Sequence, residues 1–257
     1  MATRTQAGGA GEVSIGRAFA GAFAVLAARP LEAFGIALVL SAAPIEATFF
    51  EYDRLVGGGH SGLGRGPSLL VLGFAAILTF AVSTLAQGAL VAVAAAHREG
   101  RRAGLGEAVE AGIRALLPMI GLIVLSSLAI GFASLALLVP GVLLFVAWAV
   151  ALPALVLERL GPTDALERSQ ALTRGARWRV FGFLLVTLAV SSGLSLAQSA
   201  LGGANDTLAV TAVTLAVGAA VSTAVTAFST AAHTMLYFEL RDWKEGLPAD
   251  RLAEIFR

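Results

Sequence analysis

Long apolar runs broken by short arginine-bearing segments set the pattern of this chain. The longest, Ala115 to Leu157, holds 43 residues without one Asp, Glu, Lys or Arg. One membrane crossing needs about 20 apolar residues, so this run predicts two spans folded back on each other. Pro140-Gly141, near its middle, suits a type II turn between them. Further charge-free runs are Gly66 to Ala96, Val180 to Asn205 and Thr207 to Phe238, and Ala33 to Phe50 is interrupted only by Glu46. The expected spans are 31–50, 69–95, 118–138, 140–157, 178–200 and 208–238. No strand-like alternation appears, which argues against a β-barrel. The expected fold is an all-α polytopic membrane helix bundle of about six transmembrane helices.

Short segments with helical spacing precede three of these spans. Ile15, Phe19, Phe23 and Leu26 form one stripe, with Arg17 off it. Leu105, Val109, Ile113 and Leu116 form a second, facing away from Glu107, Glu110 and Arg114. Leu166 and Leu172 oppose Glu167, Gln170 and Arg174 in the third, where Pro162 suits the first turn and Gly175 the C-terminal cap. Such amphipathic helices lie in the membrane interface. The chain then reads as three hairpins, each introduced by an interfacial helix, with parallel repeats at 14–96, 105–158 and 162–240. A disordered N-terminus (1–13) and a cytoplasmic tail (241–257) flank this membrane domain. In the last span, Ala212, Ala216, Ala220 and Ala224 fall every four residues, and Thr214, Gly218, Ser222, Thr226 and Thr230 form a second line. Small residues at that spacing let helix backbones approach in lipid.

Composition supports the class: 57% of residues are hydrophobic and 14% charged, against about 25% charged in soluble domains. The net charge of +1 is uninformative, but its distribution is not. With six spans, 16 of the 18 Lys and Arg residues fall on one side and only Arg54 and Arg65 on the other. The positive-inside rule then places both termini in the cytoplasm. Arginines spread over almost 30 residues before the first apolar core do not fit a signal peptide. Cysteine is absent, which excludes disulfides, thiolate metal sites and cysteine nucleophiles.

Candidate chemistry is sparse. Glu46, Gln87, Gln198 and His233 are the intramembrane polar residues, and such groups are costly and often functional. Glu46 reads as an interfacial carboxylate, the two glutamines as interhelical hydrogen-bonding groups, and His233 as a packed side chain. The Gly57–Gly66 loop fits neither a phosphate loop nor a nucleophile elbow. No catalytic set, metal cluster or cofactor site emerges, and no nucleic-acid partner is expected. Arg174, Arg177 and Arg179 cluster beside Trp178 where lipid headgroups lie, so membrane lipids, anionic ones included, are the expected partners. A homo-oligomer or protein partner is left open.

Two stretches carry a resemblance: ALPALVLERLGPTDALERSQALTRGARWRVFG (Ala151 to Gly182) and LYFELRDWKEG (Leu236 to Gly246). Together they resemble the membrane domain of glycerophosphoryl diester phosphodiesterases and related uncharacterised six-span bacterial membrane proteins. Glu158, Ser169, Leu172, Thr173, Arg174, Gly175, Trp178, Tyr237, Arg241, Glu245 and Gly246 match, while Glu239 replaces the usual aspartate and Phe238 a usual tyrosine. The resemblance implies membrane association near lipid metabolism and no catalysis, because the hydrolase barrel that names the family needs about 250 residues that this chain spends on spans. The expected function is a non-catalytic scaffold or lipid-associated accessory protein, with a small transporter or channel as the alternative.

Overall fold

The computed structural model describes residues 13–28, 30–39, 65–101, 104–201 and 208–246, without the side chains at 65–72, 136, 195, 197–201 and 208–215. These residues are helical, in the order α1 (Ile15–Ala28), α2 (Pro30–Ala37), α3 (Arg65–Arg98), α4 (Leu105–Ala136), α5 (Leu138–Ala147), α6 (Ala151–Glu158), α7 (Pro162–Thr173), α8 (Arg177–Leu201) and α9 (Leu208–Glu245). Four candidate spans are long and apolar enough to cross a membrane: Gly73–Arg98, Leu105–Leu135, Leu138–Glu158 and Arg177–Leu194. A fifth arises if α1 and α2, bent 95° from each other, count as one. Six spans and three hairpins are not established among these residues, because the first expected span lies mostly outside the described residues and the described side chains of α9 begin only at residue 216.

The expected turn at Pro140-Gly141 is a correction. The chain leaves α4 at Leu137, whose backbone is extended (φ −159°, ψ 133°), and α5 has already begun at Leu138. Pro140 therefore occupies the first turn of a helix, where its missing N–H leaves no bond unmade. Gly141 has a different task. A Cβ there would overlap Ser134, whose Cα lies 2.9 Å away, so the residue lets α5 close against α4.

The second interfacial helix is also not a separate element. Residues 105–116 run straight into the following span as the 32-residue α4, which keeps Pro118 inside it. Its core face is Ala108, Gly112, Ala115, Met119 and Leu122, whereas Leu105 and Ile113 of the expected apolar stripe are exposed. On α1 the pattern is mixed: Ala18, Ala22 and Val25 are buried and Phe23 is exposed, while Ile15, Phe19 and Leu26 pack half-buried against the core. In water the large apolar face would turn inward. In lipid the hydrophobic effect does not discriminate, so small residues take the helix contacts and large ones meet the tails. Gly88 and Gly112 mark a close crossing of α3 and α4: a Cβ on Gly112 would lie 2.5 Å from the Leu85 carbonyl of α3.

Along the last helix Ala216 and Ala220 of the first small-residue line are exposed, Gly218 of the second is buried with Ser222, Thr226 and Thr230 half-buried, and a line through Thr223, Ala227 and Ala231 is buried; the side chains of Ala212 and Thr214 lie outside the described set. Thr223 and Thr234 donate to carbonyls of their own helix, Ala219 and Thr230. The helix expected after Pro162 is present: α7 buries Leu166 and Leu172, with Pro162 at its start and Gly175 just beyond its end at φ +94°.

Candidate functional site at the charged end of the bundle

The charged helix ends gather at one end of the molecule, and the last three turns of α9 knit them together. Glu239 accepts hydrogen bonds from the Arg17 guanidinium of α1 (3.0 and 3.3 Å). Asp242 pairs with Arg98 at the end of α3, and that guanidinium also lies 5.3 Å over the Phe238 ring. The Tyr237 hydroxyl donates to Glu158 Oε1 at the end of α6 (2.6 Å). Arg168 Nε of α7 donates to both Glu158 oxygens (2.9 Å each), and its guanidinium reaches on to Glu245. Arg241 Nε closes the chain on Glu245 Oε2 (3.0 Å). Trp243 packs over Gly175, where a Cβ would lie 3.1 Å from the ring.

Electrostatics follows this geometry. Partial burial alone would raise the Glu245 carboxyl, but hydrogen bonds from Arg168 and Arg241 outweigh it and hold the group below its ordinary value. Burial would likewise lower Arg168, and the hydrogen bonds to Glu245 and Glu158 reverse the sign and raise it.

A second polar arrangement sits under this network, inside the Leu138–Glu158 span. That span breaks at Trp148–Val150. Ala151 N–H bonds to the Trp148 carbonyl (3.1 Å) and Ala149 N–H to Val146 (3.4 Å), which frees the Ala147 carbonyl and the Val150 N–H from the helical ladder. Ser169, fully buried on α7, serves both: its hydroxyl donates to Ala147 (2.8 Å) and accepts from Val150 (3.3 Å). The Thr173 hydroxyl also reaches Ala147 (3.1 Å), sharing its one proton with the Ser169 carbonyl of its own helix (2.9 Å). Two hydroxyls one turn apart on α7 thus replace the helical bonds that the break removes, as a span in hydrocarbon requires.

The structure brings Glu158, Ser169, Tyr237, Glu239 and Arg241 of the expected site together and leaves the others apart. Arg174 is exposed, Trp178 is 86% exposed, and Arg179 is half-buried. Arg177 has a buried Nε without a partner. Gln87 is half-buried on α3. Glu46 and the Gln198 side chain lie outside the described residues. His233 Nδ1–H donates to the Ser229 carbonyl of its own helix (2.7 Å), and the ring meets Phe183 edge-on. It lines a crevice of about 190 Å³ beside the break, with Trp148, Phe145 and Leu184. Among the described residues no group of three or more His, Cys, Asp or Glu could hold a metal ion.

Sequence reasoning missed Arg17, Arg168 and Asp242, and it read Arg98 with Arg101 and Arg102 as a basic cluster for lipid headgroups, not as the partner of Asp242; these pairings are far apart in sequence. It also missed Arg159. This residue ends α6 in the left-handed region (φ 54°, ψ 43°), the one non-glycine with positive φ among the described residues. The Leu160 N–H then turns back to Leu155 (3.2 Å). A cavity of about 360 Å³ opens there between α3, α4 and α6.

Residues 103–240, more than half of the chain, match a family model described as a domain of unknown function, DUF7847. The chain belongs to the DUF7847 family. The match runs from the start of α4 to Leu240 and so takes in the helix break, the Ser169–Thr173 pair and Tyr237. No curated protein and no solved structure matches the chain. Nothing links this DUF7847 protein to glycerophosphoryl diester phosphodiesterases, so the likeness of the two stretches extends only to an uncharacterised family.

Proposed function

We propose that this DUF7847 protein is a non-catalytic integral protein of a bacterial inner membrane, with six spans and both termini in the cytoplasm, acting as a scaffold or lipid-associated accessory. The observation that carries this reading is how the polar residues of the two recognisable stretches are used. Glu158, Ser169, Thr173, Tyr237, Glu239, Arg241 and Glu245 all bond to other parts of the same chain. Chemistry needs groups held for a substrate, whereas these hold helices. What is left for lipid is a belt of exposed large side chains, such as Phe74, Leu117, Phe132 and Leu188, and the Arg174–Trp178 edge. Guanidiniums beside an exposed tryptophan suit anionic headgroups. The test is native mass spectrometry of the protein released from mixed-lipid nanodiscs. The wild type is expected to retain anionic lipid over phosphatidylcholine, and R174Q/R177Q/R179Q to lose that preference. Equal retention by both proteins would overturn the lipid role.

A transporter or channel is the second reading, favoured by the crevice at the broken span with His233 on its wall. Ionisable groups beside broken helices mark pathways in many membrane proteins. Proteoliposome flux measurements with H233A and E46Q test it. No flux of protons, ions or common metabolites would remove it.

A further inference from the structure

The cavity of about 360 Å³ at the charged end falls within the roughly 300–1,000 Å³ of small-molecule sites. Its walls divide into an apolar floor, including Ala92, Ala115, Pro118 and Leu155, and a rim of three arginines and three glutamates. Such a division suits an amphiphile. A soluble ion would leave the floor facing water.

The rim is balanced in number but not in pairing. Arg101 holds Glu99 (2.7 Å) and Glu107 (2.6 Å), and Arg114 holds Glu110. Among the described residues, three carboxylates of this rim thus share two guanidiniums. Arg159 is the third guanidinium of the rim, yet its side chain has no ion pair or hydrogen bond among the described residues. Its backbone conformation is one that glycine adopts without strain, so an arginine here sacrifices cap stability. A strained residue with an unused charge at the edge of a cavity points to a ligand.

We propose that this cavity binds the headgroup of a zwitterionic phospholipid carrying a primary ammonium, of the ethanolamine type. The phosphate meets Arg159, which can grip it with two N–H groups. The ammonium donates its three N–H bonds among Glu99, Glu107 and Glu110, and the first carbons of the chains lie on Leu155 and Pro118. A choline headgroup has no N–H to give, and a purely anionic headgroup brings no cation to the carboxylates. The inference rests on the lipid-associated reading above but uses a different site from the Arg174–Arg179 edge.

The full-length protein in nanodiscs, with a phosphatidylcholine matrix doped with phosphatidylethanolamine or phosphatidylglycerol, provides the test. Lipid retention by native mass spectrometry should favour the ethanolamine lipid about tenfold or more, the factor one charge-assisted contact gives. R159G and R159Q should abolish that preference. R159G should melt in lipid-free detergent no lower than the wild type, because glycine relieves the cap, which separates lost binding from misfolding. Equal retention of the three lipids by the wild type, or an undiminished preference in R159G, overturns the proposal. Thermal protection by soluble glycerophosphoethanolamine equal to that by the lipid also overturns it, in favour of a soluble ligand. If R174Q/R177Q/R179Q retains anionic lipid like the wild type while the Arg159-dependent ethanolamine preference stands, the edge reading fails and the cavity stands.

Discussion

Ser169→Ala is the most direct perturbation of what holds the fold together, because one buried hydroxyl serves two backbone groups of a broken span. Removing it takes from Val150 N–H the acceptor it uses and leaves Ala147 with the Thr173 hydroxyl alone. A side-chain hydrogen bond between membrane helices averages only about 0.6 kcal/mol, with about 1.7 at the upper end. Leaving a buried donor unsatisfied costs about 1–3 kcal/mol, and that larger effect applies to Val150. The expected loss for S169A is about 2 kcal/mol, or about 4–8 °C in Tm for a domain of this size. T173V should cost less, about 0.5 kcal/mol, because Ser169 still serves Ala147. The double variant should exceed the sum of the two by about 1 kcal/mol, since only then does Ala147 lose both donors. Thermal unfolding in mild detergent followed by tryptophan fluorescence reads this directly, with Trp148 inside the break. T163A, at an exposed position of the same helix, is the control. If S169A and T163A melt together, the hydroxyl does not sustain the break and the reasoning is refuted.

Gly112→Ala should cost about 1–3 kcal/mol by overpacking, because its Cβ would press on the Leu85 carbonyl and Ala89 nitrogen, backbone atoms that cannot turn aside. Gly21→Ala meets only the flexible Met235 side chain at 3.0–3.1 Å and should cost far less; equal losses in Tm would contradict this account of the α3–α4 crossing. Tyr237→Phe removes one hydrogen bond to a charged group and should cost about 1.5 kcal/mol in the same assay. Glu245 titrates below its ordinary 4.5 in the fold, so its stabilisation is full above that value and fades as pH falls through the folded one. Tm should therefore drop on acidification from pH 7, and E245Q should flatten part of that drop; an unchanged profile in E245Q would show that the network does not set the acid limit.

Legibility of this protein varied with the range of the physics. The apolar runs located the α3, α4, α5–α6 and α8 spans, because burial in hydrocarbon acts on each segment independently. Pro162 and Gly175 set the ends of α7 by local backbone chemistry. The stripes on α1 and α4 left open whether their large apolar residues face lipid or the bundle, and the structure divides them: Phe19 packs on Phe183, whereas Phe23, Leu105 and Ile113 are exposed. The turn expected at Pro140-Gly141 misled. Pro followed by Gly fits a turn, but it fits a helix's first turn and a close approach equally well, and only the position of Ser134 decides.

Most of the site was legible as residues and not as an arrangement. Glu158, Ser169, Tyr237, Glu239 and Arg241 stood out in the sequence, yet Arg17 and Arg98 meet α9 across more than 140 positions. The strained backbone of Arg159 left no trace, since Gly161 two residues later is the more obvious helix stop. The sequence by itself determined helices long and apolar enough to cross a membrane, with charge gathered beside their ends, because hydropathy and charge act residue by residue against the solvent. Only the tertiary structure decided that Ser169 bridges a broken span, that Glu158 joins Tyr237 to Arg168, and that Arg159 sits at a cavity with no ion pair among the described residues. Pairing between distant charges and hydroxyls depends on which helix ends meet, and no local pattern encodes that.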